Sequence, residues 1–356
     1  MKINIVIPRQ SSIYSDFYNV AFDLSNGLHK IGVEHALFLV KNDFRNAEFP
    51  FEATNLIKIN FGELVEYAKK DEIFIMPDDF NLLLSFYKMQ KWPKFLLIWV
   101  HYFYGHKFLF KRYRELPFKN FKAKRWYRIL DLLPPKFAFN NIYGKALYDK
   151  KIVAQSLWSL LLLERVYNIP VLGRLLTPVD KEFYPFSYDK NHEALIYLND
   201  VDDTDIESLK TVIKIIQTTN KDIEFNAFGN ESMLKYLKNF NVKFLGKLDR
   251  KELGRIYSEH LFTINPVYNG NFEMVPIQSL LCGTPVITFY QPFMEVTGES
   301  PMIANIENLY EIKQKIKLWS EEIKNIRESI RNKILEQMDN EIVAKQLVDE
   351  YIPALY

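Results

Sequence analysis

Residues 268–288 decide the fold, and their sequence is YNGNFEMVPIQSLLCGTPVIT. A polar loop, residues 269–271, opens into an apolar stretch of helical character, and a strand-like run over residues 285–289 follows it. Gly283 fits the position just after a helix, where a left-handed backbone is common. Loop, helix and strand in so short a space make one α/β unit, whose loop would present N–H groups to an anion such as phosphate. An ordinary βα turn in a parallel sheet explains the pattern equally well.

Strands and helices alternate on both sides of this unit. The apolar runs are short and continuous, as expected for strands of a sheet that is buried on both faces. The predicted strands cover residues 3–7, 35–40, 72–76, 95–100, 136–140, 151–155, 194–198, 223–228, 242–245 and 261–265. The predicted helices cover residues 17–30, 82–90, 157–166, 206–217, 232–239, 250–260, 309–338 and 341–351. The alternation predicts an α/β fold with doubly wound parallel sheets.

The alternation is interrupted once, at residues 169–190. This segment is rich in proline and lacks a long helical period, which indicates a domain junction. A length of 356 residues also suits two domains. We therefore predict two Rossmann-like domains with a cleft between them, the first over residues 1–170 and the second over residues 171–338.

Composition narrows the class of protein. The formal net charge is only +2, so a charged partner would have to be recognised by a local patch. The single cysteine, Cys282, excludes an intrachain disulfide and suits a reducing compartment. No stretch approaches the roughly 20 apolar residues of a membrane span, and the start of the chain lacks the apolar core of a signal peptide. We expect a cytoplasmic protein that is at most peripheral to the inner membrane surface.

Ligands of open α/β sheets bind at the carboxyl ends of the strands. The loops that follow predicted strands are therefore the candidate ligand sites. They cover residues 9–15, 101–105, 199–205, 229–231, 246–249 and 268–274.

Several stretches resemble, in order, the GT-B glycosyltransferases, and in particular the large retaining family 4, also called glycosyl transferases group 1. The segment IVAQSLWSLLLLERVYNIP at 152–170 resembles the family's segment after the last strand of its first domain. TPVDKEFYPF at 177–186 resembles its linker motif GVD…F.P. Residues 225–260, which contain FNAFGNES and VKFLGKL, resemble its GxG…V.FLG stretch, and FEMVPIQSLLCGTPVIT at 272–288 resembles FGLPxxEAMACGTPVI. Order and spacing carry the resemblance more than any one motif.

The resemblance implies a glycosyltransferase that moves a sugar from a nucleotide-sugar donor to an acceptor. The first domain would bind the acceptor, and the second would bind the donor, with a UDP- or GDP-sugar expected. A helix within residues 339–356 would return to the first domain. Transfer would retain the anomeric configuration without a cofactor or a bound metal, through positioning and stabilisation of the departing diphosphate. The acceptor, whether a glycan, a lipid, a protein or DNA, stays open.

Two motifs of the family have other residues here. The paired glutamates, which contact the donor sugar and the ribose, fall on Gly270 and Gln278. Gln278 could still bond a ribose hydroxyl, since an amide both donates and accepts, and Glu273 is the candidate replacement at the sugar. The glycine–arginine pair and the lysine that neutralise the diphosphate fall on Asn199 and on an acidic run over residues 200–205, which would repel a diphosphate.

The resemblance and the strand-end positions assign candidate residues to three groups. His101 and Glu273 are the catalytic candidates, since a neutral imidazole can bond a sugar hydroxyl or share a proton. The donor-binding candidates are Asn199, Gly229, Lys247, Leu248, Phe272, Glu273, Met274, Val275 and Gln278. The acceptor-binding candidates are Arg9, Ser11, Ser12 and Tyr102. Lys247 would replace the missing basic pair, and Arg9 could reach a phosphate. A structural histidine and a solvated lysine are the alternatives for His101 and Lys247.

A basic and aromatic segment covers residues 106–136. Its cations include Lys107, Lys111, Arg112, Arg114, Lys119, Lys122, Lys124, Arg125 and Arg128, and aromatic residues alternate with them. An anionic membrane surface suits this combination, which makes membrane contact through residues 106–136 one hypothesis. A nucleic acid suits it as well. The third interpretation is a solvated face whose aromatic side chains pack inward.

The acidic run over residues 200–205 also has two interpretations. Clustered carboxylates are ligands of hard cations. However, Asp202, Asp203 and Asp205 precede a predicted helix, where the helix dipole favours acidic residues. We therefore predict a role at the helix start and no metal site.

Two further functions stay open at the level of sequence. The missing motif residues also fit a degenerate, non-catalytic GT-B protein that binds glycan, lipid or nucleic acid through residues 106–136. Alternatively, the enzyme uses DNA as its acceptor, and binding of the acceptor would then weaken steeply with salt.

Overall fold

The computed structural model describes residues 2–8, 16–40, 56–68, 70–78, 82–83, 86, 91–100, 147–201, 203–246, 248–268, 272–320 and 324–356. These residues form two compact units, Met1–Val179 together with Asn340–Tyr356, and Asp180–Asp339. The predicted strand over residues 136–140 and the basic segment lie outside the described residues. Within the described ranges, every helix is too short or too polar to cross a membrane.

The first unit contains a parallel sheet, in which seven described strands have the order β3-β2-β1-β4-β5-β6-β7. The strands are β1 (Ile3–Ile7), β2 (His35–Val40), β3 (Leu56–Ile59), β4 (Ile73–Pro77), β5 (Phe95–Val100), β6 (Lys151–Ala154) and β7 (Gly173–Arg174). The helices are α1 (Asp16–Lys30), α2 (Phe61–Tyr67) and α3 (Leu157–Leu161), which continues as a π-helical turn (Leu162–Val166). This order confirms the predicted doubly wound sheet, because the chain builds outward from β1 and then from β4.

Burial on both faces gives this sheet its continuous apolar strands. Val6 and Ile98 belong to the core on one face, and Ile5 and Trp99 belong to the core on the other. All four side chains are fully buried. The structure confirms the strands predicted at residues 3–7, 35–40 and 95–100. Successive side chains along each strand enter opposite cores, and therefore no position needs to be polar.

The two edge strands of the first sheet, β3 and β7, were not predicted from the sequence. β3 has only four residues, and Lys58 within it is exposed. β7 consists of Gly173 and Arg174 alone. An edge strand pairs on one side only and is commonly short and polar, so it leaves little pattern in the sequence.

Because β7 pairs with the first sheet, the first unit ends later in the chain than the sequence indicated. The predicted boundary was residue 170, whereas the compact unit continues to Val179. Beyond β7, the buried indole of Trp99 donates a hydrogen bond to the Leu175 carbonyl (2.9 Å), and Leu175 lies in the core. These contacts hold the segment after residue 170 against the first sheet.

The second unit contains another parallel sheet, with described strands in the order β10-β9-β8-β11-β12-β13. The strands are β8 (Glu193–Leu198), β9 (Glu224–Gly229), β10 (Val242–Phe244), β11 (Phe262–Asn265), β12 (Val286–Thr288) and β13 (Ile303–Asn305). The helices are α4 (Ile206–Thr219), α5 (Arg250–Glu259), α6 (Met274–Leu281), α7 (Met294–Thr297), α8 (Leu309–Ser320) and α9 (Lys324–Met338). The helix predicted over residues 232–239 is a 3₁₀ helix, Glu231–Tyr236.

α6 and β12 confirm the helix and the strand predicted within residues 268–288, while residues 269–271 lie outside the described part. Gly283 follows α6 with φ 72°, the left-handed backbone expected at a helix end. The N–H of Gly283 donates to the Leu280 carbonyl (3.0 Å), and the N–H of Thr284 donates to the Ser279 carbonyl (3.0 Å). The helix therefore ends where its sequence indicated.

The last helix, α10 (Asn340–Gln346), packs in the first unit and continues as a π-helical turn, Leu347–Tyr351. Val343 and Leu347 join the same core as Leu24 of α1. The backbones approach closely here, because a β-carbon on Gly27 of α1 would lie 2.1 Å from the Asn340 carbonyl oxygen. A residue without a side chain is therefore required where the two helices cross.

Candidate functional site

The second sheet has a switch point between β8 and β11. These strands are neighbours, but the chain continues from β8 to β9 on one side and from β11 to β12 on the other. Loops that leave in opposite directions open a crevice at the carboxyl edge, where ligands of such sheets bind. The candidate site is this edge, with the loops after β8 and β11 at its centre.

Backbone hydrogen bonds tie these two loops together. The N–H of Tyr268 donates to the Asp203 carbonyl (3.1 Å), and the N–H of Asp205 donates to the Pro266 carbonyl (2.9 Å). Thr204 forms an isolated antiparallel bridge with Val267 between them. The pairing fixes the base of the site. It is a long-range contact without a local pattern, which is why the sequence did not predict it.

α6 begins at this edge, directly after the loop that follows β11. Its N-cap residue Glu273 has an extended backbone (φ −72°, ψ 128°), and its side chain makes no capping hydrogen bond. Pro276, the third residue of the helix, has no N–H to donate. The first turn thus presents the N–H groups of Met274 and Val275 without a carboxylate cap. Together with the helix dipole, these groups favour an anion.

Polar contacts hold α6 on the sheet. The buried hydroxyl of Ser279 lies 2.8 Å from the Thr263 hydroxyl of β11 and donates to the Thr284 carbonyl (3.0 Å). Ile277, Leu280 and their neighbours supply the apolar part of the interface and are fully buried. A helix fixed in this way presents its first turn with little freedom to move.

Lys190 donates hydrogen bonds at the carboxyl-terminal end of α6. Its ammonium donates to the Cys282 carbonyl (3.0 Å), the Ser258 carbonyl (2.8 Å) and the Thr284 hydroxyl (2.7 Å). The two carbonyls belong to the last turns of α6 and α5, where a cation complements the helix dipole. Burial is the main cause that lowers the pKa of Lys190 to about 7, while the nearby Cys282 opposes this shift and Arg327 adds to it.

Gln278 and Glu273 are both half-buried near the start of α6. Gln278 lies one helical turn after Met274 and therefore on the same side of the helix. Among the described residues, its side-chain amide makes no hydrogen bond, so both its donor and its acceptor remain for a ligand. The roles predicted for Gln278 at the ribose and for Glu273 at the sugar stay predictions.

The acidic run mainly organises its own loop. Asp205 is the N-cap of α4 and accepts hydrogen bonds from the Ser208 N–H and hydroxyl, both at 3.1 Å. Asp200 accepts a hydrogen bond from the Asn230 amide (2.8 Å). The predicted position of Asp205 at a helix start is confirmed. The described ranges contain no cluster of three or more His, Cys, Asp or Glu residues that could hold a metal ion.

Three other donor-binding candidates follow neighbouring strands at the same edge. Asn199 is half-buried directly after β8, and Leu248 is half-buried in the loop after β10. Gly229 ends β9, and its N–H donates to the Gly246 carbonyl (3.4 Å). Their positions agree with backbone or side-chain contacts to a nucleotide, and their roles stay predictions.

The remaining candidates lie outside the described residues. They are Arg9, Ser11, Ser12, His101, Tyr102 and Lys247, together with the basic segment over residues 106–136. Phe272 and Val275, by contrast, are buried at the start of α6.

Asn265 and Gln291 are two polar residues at this edge that the sequence did not single out. Asn265 ends β11, is fully buried, and places its amide nitrogen 3.4 Å from the Thr288 hydroxyl. Gln291 follows β12, is 8% exposed, and donates from Nε2 to the Val267 carbonyl. A polar residue at the end of an apolar strand is a usable signal for Asn265. Gln291 carries no comparable signal, because a glutamine in a loop is usually solvated.

Residues 197–321 match the profile of the family described as Glycosyl transferases group 1. The matched range begins in β8 and ends beyond α8, and thus contains the loops of the candidate site. A search by sequence found no match among curated proteins.

Solved structures with the same architecture cover almost the whole chain. A sucrose-phosphate synthase from Thermosynechococcus elongatus has a TM-score of 0.71 at 14% identity, over 99% of this chain and 98% of its own. The pneumococcal O-GlcNAc transferase GtfA, in complex with UDP and GlcNAc, has a TM-score of 0.65 at 9% identity, over 100% and 99%. An alpha-glucosyltransferase, in complex with UDP and DNA, has a TM-score of 0.63 at 12% identity, over 99% of each chain.

At these identities, the structural likeness shows the fold, and the profile match adds the class of protein. The two parallel sheets and the solved structures show the GT-B fold, and the match over residues 197–321, in the second unit, to the glycosyl transferases group 1 family supports a glycosyltransferase.

Proposed function

We propose that the chain transfers a sugar from a UDP-sugar that binds at the carboxyl edge of the second sheet. The observation that carries the proposal is the first turn of α6, which presents the N–H groups of Met274 and Val275 beside the switch point. A diphosphate is the part of a nucleotide sugar that this turn would bind, because it accepts hydrogen bonds and is negatively charged. The choice of UDP is supported by the UDP in the GtfA and alpha-glucosyltransferase complexes.

The surrounding residues support roles for the rest of the donor. Gln278 would bond a ribose hydroxyl, since its amide has no other partner among the described residues. Glu273 would contact the sugar, and His101, known here from the sequence only, would lie near the reacting carbon. The bond from the anomeric carbon to the diphosphate would break while a bond to the acceptor oxygen forms, and the proton of the acceptor hydroxyl would pass to the departing diphosphate. The N–H groups of α6 would stabilise the charge that develops on the departing diphosphate.

Retention of configuration and independence from a bound metal belong to the same proposal and rest on the family resemblance. The acceptor would bind to the first unit. We keep a glycan, a lipid, a protein or DNA as acceptor classes, since the similar structures include complexes with a sugar and with DNA. Contact of residues 106–136 with an anionic membrane surface is the partner interaction that we propose.

The first experiment is a thermal-shift and hydrolysis screen of the purified chain. UDP, GDP and ADP would be compared with UDP-glucose, UDP-N-acetylglucosamine and GDP-mannose. We expect stabilisation by UDP and by one UDP-sugar, with slow release of the free sugar. Stabilisation by GDP alone would replace the proposed base, and no stabilisation by any nucleotide would favour a non-catalytic binding protein.

A further inference from the structure

Gln291 combines a fixed position with an unused acceptor. The side-chain Nε2 of Gln291 donates to the Val267 carbonyl in the loop after β11, and the backbone carbonyl of Gln291 accepts a hydrogen bond from the Met294 N–H (3.0 Å). Because a carbonyl can only accept, the amide nitrogen must face Val267, which fixes the position of Oε1. Within the described part of the molecule, Oε1 is buried and has no hydrogen-bond partner.

Two further oxygens in the same region share this property. Asn265 Oδ1 and Thr204 Oγ1 are buried, and neither has a hydrogen-bond partner among the described residues. Thr204 bridges to Val267, the residue whose carbonyl binds Gln291. Asn265 lies two residues before Val267 in the chain. Three such atoms around one loop are unusual, because buried polar atoms in folded proteins are nearly always paired.

The chemistry of these atoms restricts what can bind them. An amide oxygen only accepts hydrogen bonds, so its partner must carry a hydrogen. A diphosphate at neutral pH offers acceptors alone and is therefore unsuitable. A sugar hydroxyl is a suitable partner, and an amide oxygen would hold it without adding charge next to the diphosphate. An unmatched amide oxygen also discriminates against a ligand that lacks the hydroxyl, since the buried oxygen then stays unpaired.

We propose that Gln291 is a specificity-determining residue, whose Oε1 accepts a hydrogen bond from a hydroxyl of the donor's sugar. This inference rests on the proposed function, because it assumes that a nucleotide sugar binds at this edge. It adds a recognition element that lies after β12, away from the first turn of α6. Its Nε2 holds the loop after β11, so the two ends of one amide serve the scaffold and the ligand.

The test compares binding of UDP with binding of UDP-glucose and UDP-N-acetylglucosamine by calorimetry. Gln291→Met keeps the length and most of the volume of the side chain but removes both polar atoms. We expect the Kd of the preferred UDP-sugar to rise about fivefold to tenfold, as for a lost neutral hydrogen bond, while the Kd of UDP changes less than about twofold.

Gln337→Met is the matched control. Gln337 also donates its amide N–H to a backbone carbonyl, that of Val296 (3.2 Å), but it lies on α9 and has no unpaired buried atom. Loss of a glutamine–carbonyl bond as such would therefore appear in both variants. The ratio of the Kd values for UDP-sugar and UDP should stay at the wild-type value in Gln337→Met.

The outcomes separate this inference from the proposed function. If the wild type binds a UDP-sugar and Gln291→Met keeps the wild-type ratio of Kd values, the inference is wrong and the proposed function stands. An equal loss of UDP and UDP-sugar binding would assign Gln291 either a structural role or a contact with the nucleoside, and would also overturn the inference. Failure of the wild type to bind either UDP or UDP-sugars would overturn both.

Discussion

At the scale of single residues, the candidate donor site depends on side chains at both ends of α6. Gln278 lies one turn into the helix with an amide that is available to a ligand, and Lys190 binds the carbonyls at the far end. The first is a binding candidate, whereas the second holds the helix in place. The two roles predict different responses to substitution.

Replacing Gln278 should weaken donor binding more than it slows the chemical step. In Gln278→Ala, we expect the donor KM to rise about fivefold, since one neutral hydrogen bond contributes about 1 kcal/mol, with a smaller change in kcat. Steady-state kinetics with the UDP-sugar found in the screen would measure both constants. Gln217→Ala, a half-buried glutamine on α4, is the control. An unchanged donor KM in Gln278→Ala would rule out the ribose role.

Replacing Lys190 should change how stability depends on pH. Because the pKa of Lys190 is about 7 in the folded chain and 10.5 for an ordinary lysine, the unfolded chain binds more protons between these values. The free energy of unfolding therefore gains a contribution that rises with pH across this window, by at most about 1.4 kcal/mol per pH unit. Lys190→Met should lose this contribution and show a smaller slope.

Urea unfolding between pH 7 and pH 8.5 would measure the slope. This range ends below 9.0, the ordinary pKa of the Cys282 thiol, so the opposing contribution that comes from burial raising this pKa to about 12 is only beginning at its upper end. Lys214→Met removes an exposed lysine of the same unit and should keep the wild-type slope. Equal slopes in the wild type and in Lys190→Met would show that the ammonium is not held in a buried environment.

At the scale of elements, the packing of α10 on α1 depends on a close approach of two backbones. Val343 and Leu347 fill the core beside Leu24, and Gly27 permits the crossing. Glycine inside a helix normally costs about 1 kcal/mol relative to alanine, so the sequence position alone looks unfavourable. The contact explains why glycine is nevertheless suited to this position.

Gly27→Ala should destabilise the chain in spite of its better helix propensity. The new β-carbon would lie 2.1 Å from the Asn340 carbonyl oxygen and 3.0 Å from the Ala344 β-carbon, so the backbones must move apart. Overpacking of this kind costs about 1–3 kcal/mol, which exceeds the gain in propensity. Thermal and urea unfolding would test the sign. His29→Ala, an exposed substitution on α1, should have little effect. A stabilised Gly27→Ala would contradict the crossing.

At the scale of the whole molecule, charge is uneven along the chain. The net charge is only +2, yet nine lysine and arginine residues fall between Lys107 and Arg128. Each basic residue near an anionic membrane contributes about 1 kcal/mol of attraction. A local segment can therefore bind a surface that the average charge would not attract.

Membrane contact predicts that the chain sediments with vesicles containing phosphatidylserine and not with neutral vesicles. Substitution of Lys111, Arg112 and Arg114 by glutamine should abolish most of this binding, and about 0.5 M salt should release the wild type. Substitution of Lys214, Lys221 and Lys238, exposed lysines of the second unit, removes the same charge and should have little effect. Binding to a DNA duplex but not to vesicles would instead favour the nucleic-acid interpretation.

The sequence alone indicated the class of fold, the long helices and the strands inside each sheet, because burial on both faces of a parallel sheet leaves continuous apolar runs. It also located α6 and its end at Gly283, since the glycine requirement at a helix end is local. From family motifs it selected the edge of the second sheet, including residues 272–275 and Gln278, as the donor site.

Only the tertiary structure revealed the pairing of Thr204 with Val267, the contacts of Lys190, and the side-chain oxygens of Asn265 and Gln291 that have no partner among the described residues. The short edge strands β3 and β7 belong to the same group. Each of these features either joins residues that are far apart in the chain or depends on which residues pack beside it in the folded structure. From the sequence, a glutamine in a loop such as Gln291 is expected to be solvated. It becomes a binding candidate only because folding buries one of its two polar atoms without a partner among the described residues.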